Sequence, residues 1–425
     1  MADSMKPTRV RHLVLWLTVA AYMITYMDRV VIAAAAPSIR EEFDLDRETM
    51  GLVLGAFRWG YALFQIPGGW LGDRIGPRRA LALIVVWWSL FTSATALAWN
   101  VASMVACRFL FGVGEAGAFP IATRSLSRWM LPSERGYAQG VTHAGSRLGA
   151  TLTPPLVVWL IVSYGWRLPF YLFGALGLLW AAVWFFWYRD TPAEHDQVNA
   201  AELALIESSV GAACPRRAGV PWGVILRSPA VRLLSLMYAC YAWSIAIYLD
   251  WLPTYLREAR GLDLKRMGVY ASLPLLAATL GDLFGGWISD KINVRTGNLK
   301  FARQAVAIAG FLVAGIAVVP AVLTPSAEVC IVLTCLAAFG LETTVGVSWA
   351  VPLDIGRDYA GSVSAMMNMW GNVGGAISTS ALGALVTAFG WRCPFFIAAA
   401  LCLLAAGLFT RIDASQPLQF SKEAP

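Results

Sequence analysis

Apolar stretches alternate with short polar ones along nearly the whole chain. Twelve of them are long enough for an α-helix that crosses a bilayer, which takes about 20 apolar residues. They lie at residues 11–36, 49–71, 80–98, 101–124, 138–164, 168–189, 229–257, 265–288, 303–323, 327–352, 361–388 and 392–411. The pattern lacks the alternating segments of about ten residues that a transmembrane β-barrel requires. We therefore predict an all-α integral membrane protein with twelve transmembrane helices.

A polar stretch in the middle of the chain divides the twelve helices into two halves of six. Residues 1–189 are predicted to form an N-terminal six-helix bundle, and residues 229–411 a C-terminal one. Residues 190–228 form a central loop, and residues 412–425 a tail. The central loop is too short to hold a further soluble domain.

A short motif occurs at the same place in each half. GGWLGDRIGPRR (68–79) follows the second helix, and GGWISDK (285–291) follows the eighth. In both copies Gly stands four residues before Asp; Gly lets helices approach closely, and Asp can meet a helix end or an Arg. Two parallel six-helix repeats are typical of secondary transporters, whose substrate site lies between them near mid-membrane. We predict a conformational gate at these loops, formed by Gly69, Asp73, Arg74, Gly76, Arg78, Gly286 and Asp290.

Composition narrows the class of protein. Of the 425 residues 58% are hydrophobic and only 14% charged, about half the charged share of a soluble chain. Most Lys and Arg residues fall on one side of the predicted membrane, so the net charge of +7 reflects topology and is not a footprint for nucleic acid. Both termini and the central loop are predicted to be cytoplasmic, in a cell inner (plasma) membrane.

Motifs of enzymes and of metal sites are missing from the sequence. The seven Cys have no CxxC spacing and only three His occur, which argues against a metal site or a disulfide framework. Nucleotide-binding loops, HExxH and GxSxG are also lacking. We predict a transporter and no enzyme, with the lipid bilayer and a small organic anion as its partners. It needs no cofactor beyond a coupling proton, sodium is left open, and a monomer is expected.

Ionisable residues within the predicted helices are the strongest functional signal, because each costs several kcal/mol unless it faces a cavity and has a partner. In the first helix Tyr26 and Arg29 share a face, and Asp28 points about 100° away. In the fourth helix Arg108 and Glu115 share a face among small residues. Arg29 suits a carboxylate ligand, or else a structural ion pair with Asp28 or Glu115. A desolvated Glu115 could bind a proton near neutrality, or form a static pair with Arg108.

The chain resembles the major facilitator superfamily, whose inner-loop motif reads G-x-x-x-D-[RK]-x-G-x-[RK]-[RK]. The first copy matches throughout, and the second departs after Lys291. It further resembles the anion:cation symporter family, which includes bacterial galactonate and hexuronate carriers. That resemblance rests on YMDRVVIAAAAP, YALFQIPGGWLGDR, CRFLFGVGEAGAFP, ERGYAQG, GSRLGATLTPPL, GWRLPF, WLPTYL and NMWGNVGG, which together cover nearly every helix.

The resemblance implies roles for residues in both halves. It implies that Arg29 contacts the substrate anion and that Asp28 and Glu115, beside Arg108, are proton-coupling acids. It also implies further substrate contacts, which are Tyr61, Gln65, Trp349 and Asn368; we add Tyr26 from the face it shares with Arg29.

Several residues depart from the family's pattern. Arg58 offers a second cation for a doubly charged substrate; the alternatives are that it extends outward or pairs with Asp28. Tyr238 stands where galactonate carriers have Gln, and we include Tyr238 among the substrate contacts. Three extra acids, at Asp250, Asp282 and Glu342, fit another coupling cation, a substrate with an amine, or ion pairs with outer Arg residues.

Taken together, these features favour secondary active transport. We predict proton-coupled symport of a small organic anion by alternating access, the anion being a sugar acid such as a hexuronate, aldonate or aldarate, or another carboxylate. The alternative is a proton-coupled antiporter that exports a drug or metabolite. Three intramembrane cations, Arg29, Arg58 and Arg108, favour an anion over a lipophilic cation.

Overall fold

The computed structural model describes residues 6–131, 135–210, 222–356 and 360–418, and every regular element in these ranges is helical. The longer helices are α1 (Val10–Phe43), α2 (Arg47–Ile75), α3 (Pro77–Ala96), α4 (Val101–Glu115), α5 (Ala118–Trp129), α6 (Arg135–Tyr164), α7 (Arg167–Trp187), α10 (Pro229–Ala246), α12 (Leu264–Thr296), α13 (Leu299–Leu323), α14 (Ala327–Gly356), α15 (Ala360–Phe389) and α16 (Arg392–Phe409). The shorter ones are α8 (Ala200–Val210), α9 (Trp222–Arg227) and α11 (Leu252–Glu258).

Twelve helical stretches match the predicted transmembrane segments. Eleven of those described are long and apolar enough to cross a membrane. The twelfth, α2, has 29 residues, and the polar side chains of Arg58 and Gln65 lower its mean hydropathy. The predicted fold class is therefore confirmed. The predicted ends of the helices were too short in places: α1 runs to Phe43, because its last turns are polar and lie beyond the apolar stretch.

Two of the transmembrane stretches are interrupted, and each interruption has a local cause. α4 ends at Glu115 and α5 starts at Ala118; Pro120 cannot donate the backbone hydrogen bond that a continuous helix would need at that turn. Between α10 and α11 the chain forms a π-helical turn, Ile247–Trp251, just before Pro253. Such turns often occur at functional positions, and this one carries Asp250.

Contacts divide the chain into two compact units. Unit 1 comprises Met1–Val31, Gly60–Thr153 and Leu160–Arg217, and unit 2 comprises Ile32–Trp59, Pro154–Trp159 and Ala218–Pro425. Parts of α1, α2 and α6 therefore belong to unit 2 together with the C-terminal helices. Within unit 2, Arg40 and Arg47 both pair with Glu258, the latter at 2.7 Å between Nε and Oε2.

Small residues bring helices together at equivalent positions of the two repeats. In unit 1 a Cβ added at Gly68 would lie 2.7 Å from the Gly117 Cα, so α2 and α5 meet there. In unit 2 a Cβ added at Gly285 would collide with the Thr343 carbonyl oxygen, so α12 and α14 meet there. Gly68 and Gly285 are the first glycines of the two motif copies. The repeat seen in the sequence is thus repeated in the packing.

The central loop is anchored to the start of α1. Glu202 on α8 is fully buried and accepts hydrogen bonds from the Thr8 hydroxyl (2.5 Å) and the backbone N–H groups of Val10 (3.2 Å) and Arg11 (3.3 Å). The Arg11 guanidinium adds an ion pair at 3.0 Å. A carboxylate at a helix N-terminus satisfies free N–H groups and the helix dipole. Residues 190–228, predicted only as a polar loop, therefore include a helix with a structural role.

Candidate functional site

Arg29 lies at the centre of a cluster in unit 1. Its Nε donates to the Glu115 carboxylate, and its Cζ lies 4.9 Å from the ring centroid of Tyr26, 4.8 Å from that of Tyr61 and 5.4 Å from that of Phe119. The Arg29 side chain is 19% exposed, whereas Glu115 is fully buried. The guanidinium is thus paired with Glu115 and surrounded by three aromatic rings, and 19% of the Arg29 side chain as a whole is exposed.

A second acid and a second cation lie deeper in unit 1. Asp28 is fully buried, and its carboxylate faces the Trp88 and Thr92 side chains of α3. Arg108 is 1% exposed and its Cζ lies 4.5 Å from the Phe111 ring centroid. Asp28 interacts electrostatically with both Arg108 and Glu115. Two acids and two cations therefore share this buried region, and a third cation, the half-buried Arg147, has its Cζ 5.9 Å from the Tyr26 ring centroid.

The structure thus brings together the unit 1 residues that the sequence singled out. Tyr26, Arg29, Tyr61 and Glu115 form the cluster around the guanidinium, with Asp28 and Arg108 beside it. Of the two partners considered for Arg29, Glu115 is the one observed. Gln65 is half-buried one turn beyond Tyr61 on α2.

Phe119 was missed in the sequence. Its ring packs edge-on against Tyr22 at 4.4 Å and stacks on His143 at 6.2 Å between centroids, besides facing Arg29. The signal was available, because Phe119 directly precedes Pro120 at the break after Glu115. His143 contacts these aromatic rings from an exposed position on α6.

Unit 2 contains an aromatic cluster built from two predicted substrate contacts and one residue that was missed. The Trp349 Nε1–H donates to the Tyr238 hydroxyl at 2.9 Å. The Tyr238 ring stacks on Tyr241 with centroids 5.0 Å apart, and the Tyr241 hydroxyl donates to Glu342 Oε1 at 2.5 Å. A Cβ added at Gly371 would lie 2.6 Å from the Tyr238 ring, so α15 passes close to this cluster. Asn368, one turn earlier on α15, is half-buried.

Arg58 pairs with Asp250, a partner that none of the sequence alternatives named. The Arg58 Nε lies 2.7 Å from Asp250 Oδ2, which also accepts a 2.5 Å hydrogen bond from the Thr379 hydroxyl. Both charged side chains are 14% exposed. Arg58 therefore does not extend outward, and this pair joins α2 to the π-helical turn and to α15 within unit 2.

The predicted gate residues lie mostly in helices, not in loops as the sequence suggested. The last turns of α2 contain Gly69, Asp73 and Arg74, α3 contains Arg78, and α12 contains Gly286 and Asp290; Gly76 is the residue between α2 and α3. Gly76 has φ +82°, a conformation that favours glycine, and a Cβ there would lie 2.6 Å from the Asp190 carboxylate. The Arg78 backbone N–H donates to the same carboxylate at 2.9 Å. Arg74 is exposed, and the surroundings of Gly69 and of the Asp73 side chain lie outside the described part of the chain.

The second motif copy is held by an arginine from the next helix. Arg303 on α13 donates to Asp290 (2.8 Å), Asp354 (3.1 Å) and the Ser289 hydroxyl (3.0 Å). A Cβ added at Gly286 would meet nothing within 4 Å. The Gly286 backbone nevertheless lies close to α14, because a Cβ added at Gly346 would lie 3.1 Å from the Gly286 nitrogen. The residue whose own Cβ would collide with α14 is Gly285, because adjacent residues of a helix point in directions about 100° apart.

One pKa shift outside the membrane concerns the central loop. Burial lowers the pKa of His195 below its ordinary 6.5, and the nearby Arg189 guanidinium adds to the effect. The His195 ring lies edge-on to Trp129 and Trp187, with centroids 5.7 and 4.7 Å apart. His195 is thus held neutral at pH 7 in an aromatic setting.

Among the described residues, no group of three or more His, Cys, Asp or Glu side chains could hold a metal ion. Six cysteines of the described ranges are free thiols, and Cys214 lies outside those ranges.

Comparisons with known proteins agree with the geometry. The Major Facilitator Superfamily model matches residues 18–379. A probable sulfoacetate transporter of Cupriavidus necator is 41% identical over 395 residues, covering 92% of this chain and 91% of the relative. A hexuronate transporter of Bacillus subtilis is 30% identical over 390 residues, covering 91% and 90%.

A solved structure shares the fold. It is a bacterial homologue of the human lysosomal transporter Spinster, in an inward-facing and occupied conformation. Its TM-score is 0.77 at 21% sequence identity, with 95% of this chain and 96% of the other covered. At that identity the likeness supports the fold alone.

Proposed function

Because the chain belongs to the major facilitator superfamily, we propose that it is a secondary active transporter that imports a small organic anion together with protons. Residues 1–189 and 229–411 act as the two bundles that alternate access to the substrate. The protein lies in the inner membrane with both termini cytoplasmic, and it works as a monomer.

The observation that carries the proposal is the Arg29 cluster. Arg29 is a fixed cation whose planar fork suits a carboxylate, it is held by three aromatic rings, and it remains 19% exposed. A lipophilic cation would be repelled by this group. The cluster therefore favours anion transport over export of cationic drugs.

Charge balance links proton binding to anion binding. With Glu115 ionised, its carboxylate pairs with the Arg29 guanidinium, and an added anion would have to compete with this buried acid for the same cation. When Glu115 takes up a proton, its ion pair with Arg29 weakens and the guanidinium can bind the substrate. Proton and anion then enter together, with Asp28 as the second acid.

The remaining substrate contacts come from polar and aromatic side chains. We assign Tyr26, Tyr61 and Gln65 in unit 1 and Tyr238, Trp349 and Asn368 in unit 2 to the uncharged part of the substrate. Trp349 is 36% exposed and offers a flat surface. The cytoplasmic gate is formed at the junction of α2 and α3 and near the end of α12. Its residues are Gly69, Asp73, Arg74, Gly76, Arg78, Gly286 and Asp290.

The Arg58 guanidinium is better assigned to an ion pair that opens and closes during transport than to a second anion-binding site. Asp250 and Thr379 already occupy the guanidinium's surroundings in this structure. Alternating access moves residues of the first six helices relative to those of the last six, so the pair between Arg58 and Asp250 must break once in each cycle. The pair then stabilises the conformation seen here.

The relatives and the partly exposed Arg29 side chain support a proposal for the substrate class. The 41% identical relative is named for sulfoacetate and the 30% identical one for hexuronate. Both compounds are small and carry a carboxylate that Arg29 can bind. We propose a short sulfonated carboxylate as the first candidate and sugar acids as the second.

A binding experiment tests the proposal. Thermal unfolding of the purified protein is followed with sulfoacetate, hexuronates, dicarboxylates and amines at pH 6 and pH 8, since a ligand that binds only the native state raises the Tm. We expect stabilisation by a carboxylate, stronger at pH 6, that Arg29→Ala abolishes. Stabilisation by amines alone, or an unchanged affinity in Arg29→Ala, would contradict the anion site.

A further inference from the structure

Glu342 is a fully buried carboxylic acid in unit 2 that the proposed mechanism does not use. It lies midway along α14 and accepts the Tyr241 hydroxyl hydrogen bond at 2.5 Å. An ionisable residue at this depth of a transmembrane helix normally serves transport, because its burial is costly. Gln would accept the same hydrogen bond, so the bond from Tyr241 does not by itself require an acid.

A short series of contacts connects Glu342 to the predicted substrate residues. Glu342 bonds to Tyr241, the Tyr241 ring stacks on Tyr238, and the Tyr238 hydroxyl accepts from Trp349. Exposure increases along the series from zero at Glu342 to 8% at Tyr238 and 36% at Trp349. A change in the hydrogen bonding of Glu342 can therefore reach a side chain that faces accessible space.

The surroundings of Glu342 are poor in charge. Of the helices that pack on α14 within unit 2, α15 has no titratable side chain, and the Lys and Arg residues of α10, α12 and α13 all lie within two turns of the helix ends. The titratable groups near the middle of these helices are Tyr238, Cys240 and Tyr241 on α10 and Asp282 on α12, with Cys335 on α14 itself; those nearer the ends are Arg232, Lys265, Arg266, Tyr270, Asp290, Lys291, Arg295, Lys300, Arg303, Glu328, Cys330 and Asp354. Uptake of a proton neutralises a carboxylate in such a setting.

We propose that Glu342 is a second site for a transported proton, separate from the Asp28 and Glu115 acids. The carboxylate takes up one proton when it is reached from outside and becomes a neutral carboxylic acid, and it loses that proton to the cytoplasm when the substrate has left. The ionised form accepts the Tyr241 hydroxyl hydrogen, and the neutral form can donate its own proton instead. The resulting reorientation of Tyr241 changes the stacking on Tyr238 and so the position of Trp349.

This inference rests on the proposed function and deepens it. A doubly charged anion such as sulfoacetate would be driven outward by a membrane potential that is negative inside. Each added proton lowers that opposing charge by one. A second proton site in unit 2 therefore fits a carrier of dianions.

The test measures the number of protons transported per substrate in proteoliposomes. The pH gradient and the sulfoacetate gradient are fixed, and the number of protons is calculated from the membrane potential at which the net flux of sulfoacetate stops. Choline replaces sodium throughout, and D-glucuronate is the second probe. We compare the wild type with Glu342→Gln, which keeps the Tyr241 hydrogen bond, and with Glu328→Gln, a matched control because Glu328 is exposed on the same helix. We expect Glu342→Gln to move one proton fewer than the wild type, and Glu328→Gln to move the same number.

Other outcomes decide the question as well. A Glu342→Gln variant that loses net uptake but keeps exchange of external for internal sulfoacetate supports the proposal, because exchange needs no release of the proton. An unchanged number of protons, or the loss of exchange together with binding, overturns it. If the wild type shows no proton-driven uptake of either anion, the proposed function itself fails and the inference fails with it.

Discussion

The ion pair between Arg58 and Asp250 gives the sharpest prediction about stability. Asp250→Asn keeps the size of the side chain and removes its charge. The Arg58 side chain then stays largely buried, with 14% of it exposed, and no full negative charge lies 2.7 Å from its Nε. We expect the conformation seen here to lose stability relative to the wild type.

The magnitude follows from burial. Removing one partner of a fully buried pair costs about 3–5 kcal/mol, and an exposed pair contributes about 0–1 kcal/mol. At 14% exposure of both side chains, with Thr379 as a further donor at 2.5 Å, we expect about 2–3 kcal/mol for Asp250→Asn. Since each 1.4 kcal/mol is about tenfold in an equilibrium constant, the balance between conformations would shift by roughly 30- to 150-fold.

Thermal unfolding with a double-mutant cycle measures this. We expect Asp250→Asn to lower the Tm by several degrees, and Arg58→Gln with Asp250→Asn to cost less than the two single changes added together. Asp263→Asn is the matched control: its pair with Arg266 has side chains 63% and 70% exposed, and Asn caps α12 as well as Asp does. A loss in Asp250→Asn no larger than in Asp263→Asn, or strict additivity in the cycle, would refute the reasoning.

Three further predictions concern packing and the central loop, and each is read from the Tm of the purified protein. Gly285→Ala should lower the free energy of unfolding by about 1–3 kcal/mol, because the added Cβ meets the Thr343 carbonyl oxygen. Gly286→Ala should change it by no more than about 0.5 kcal/mol, because a Cβ there meets nothing within 4 Å. Equal losses in the two variants would contradict the collision at Gly285. Glu202→Ala should cost about 2 kcal/mol, because it leaves the N–H groups at the start of α1 without their carboxylate partner. The control Glu207→Ala, at an exposed residue of the same helix, should change the Tm little. A wild-type Tm in Glu202→Ala would count against the contact between α8 and α1. The pKa of His195 is lowered in the folded protein, so the unfolded chain binds the proton more readily and stability is lost as pH falls from 6.5 toward the lowered pKa. We therefore expect His195→Gln to lose less stability than the wild type between pH 7.5 and pH 5.5. An identical loss in the two proteins would argue against this role.

The sequence predicted the fold well because its signal is local. Apolar stretches of about 20 residues are visible without any tertiary information, and the duplicated glycine motif revealed the repeat. The break after Glu115 and the π-helical turn at Asp250 were not predicted, because a proline alone does not decide whether a helix is interrupted: Pro37 and Pro274 lie inside continuous helices. The length of α1 was also missed, because its last turns are polar.

The candidate site was predicted in part. Helical periodicity placed Tyr26 and Arg29 on one face and Asp28 on another, which the structure confirms. It could not choose between Asp28 and Glu115 as the partner of Arg29, because the rotation of one helix against another is not encoded in either helix alone. The pair between Arg58 and Asp250 joins residues 192 positions apart, a distance at which periodicity carries no information.

In the proposed mechanism, proton uptake by Glu115 frees Arg29 to bind the anion. The most direct test compares uptake of labelled sulfoacetate driven by an inward pH gradient with exchange at equal pH, in proteoliposomes of the wild type and of Glu115→Gln. Gln mimics the protonated acid, so we predict that Glu115→Gln loses gradient-driven uptake and keeps exchange. Gradient-driven uptake at the wild-type rate in Glu115→Gln would contradict the account.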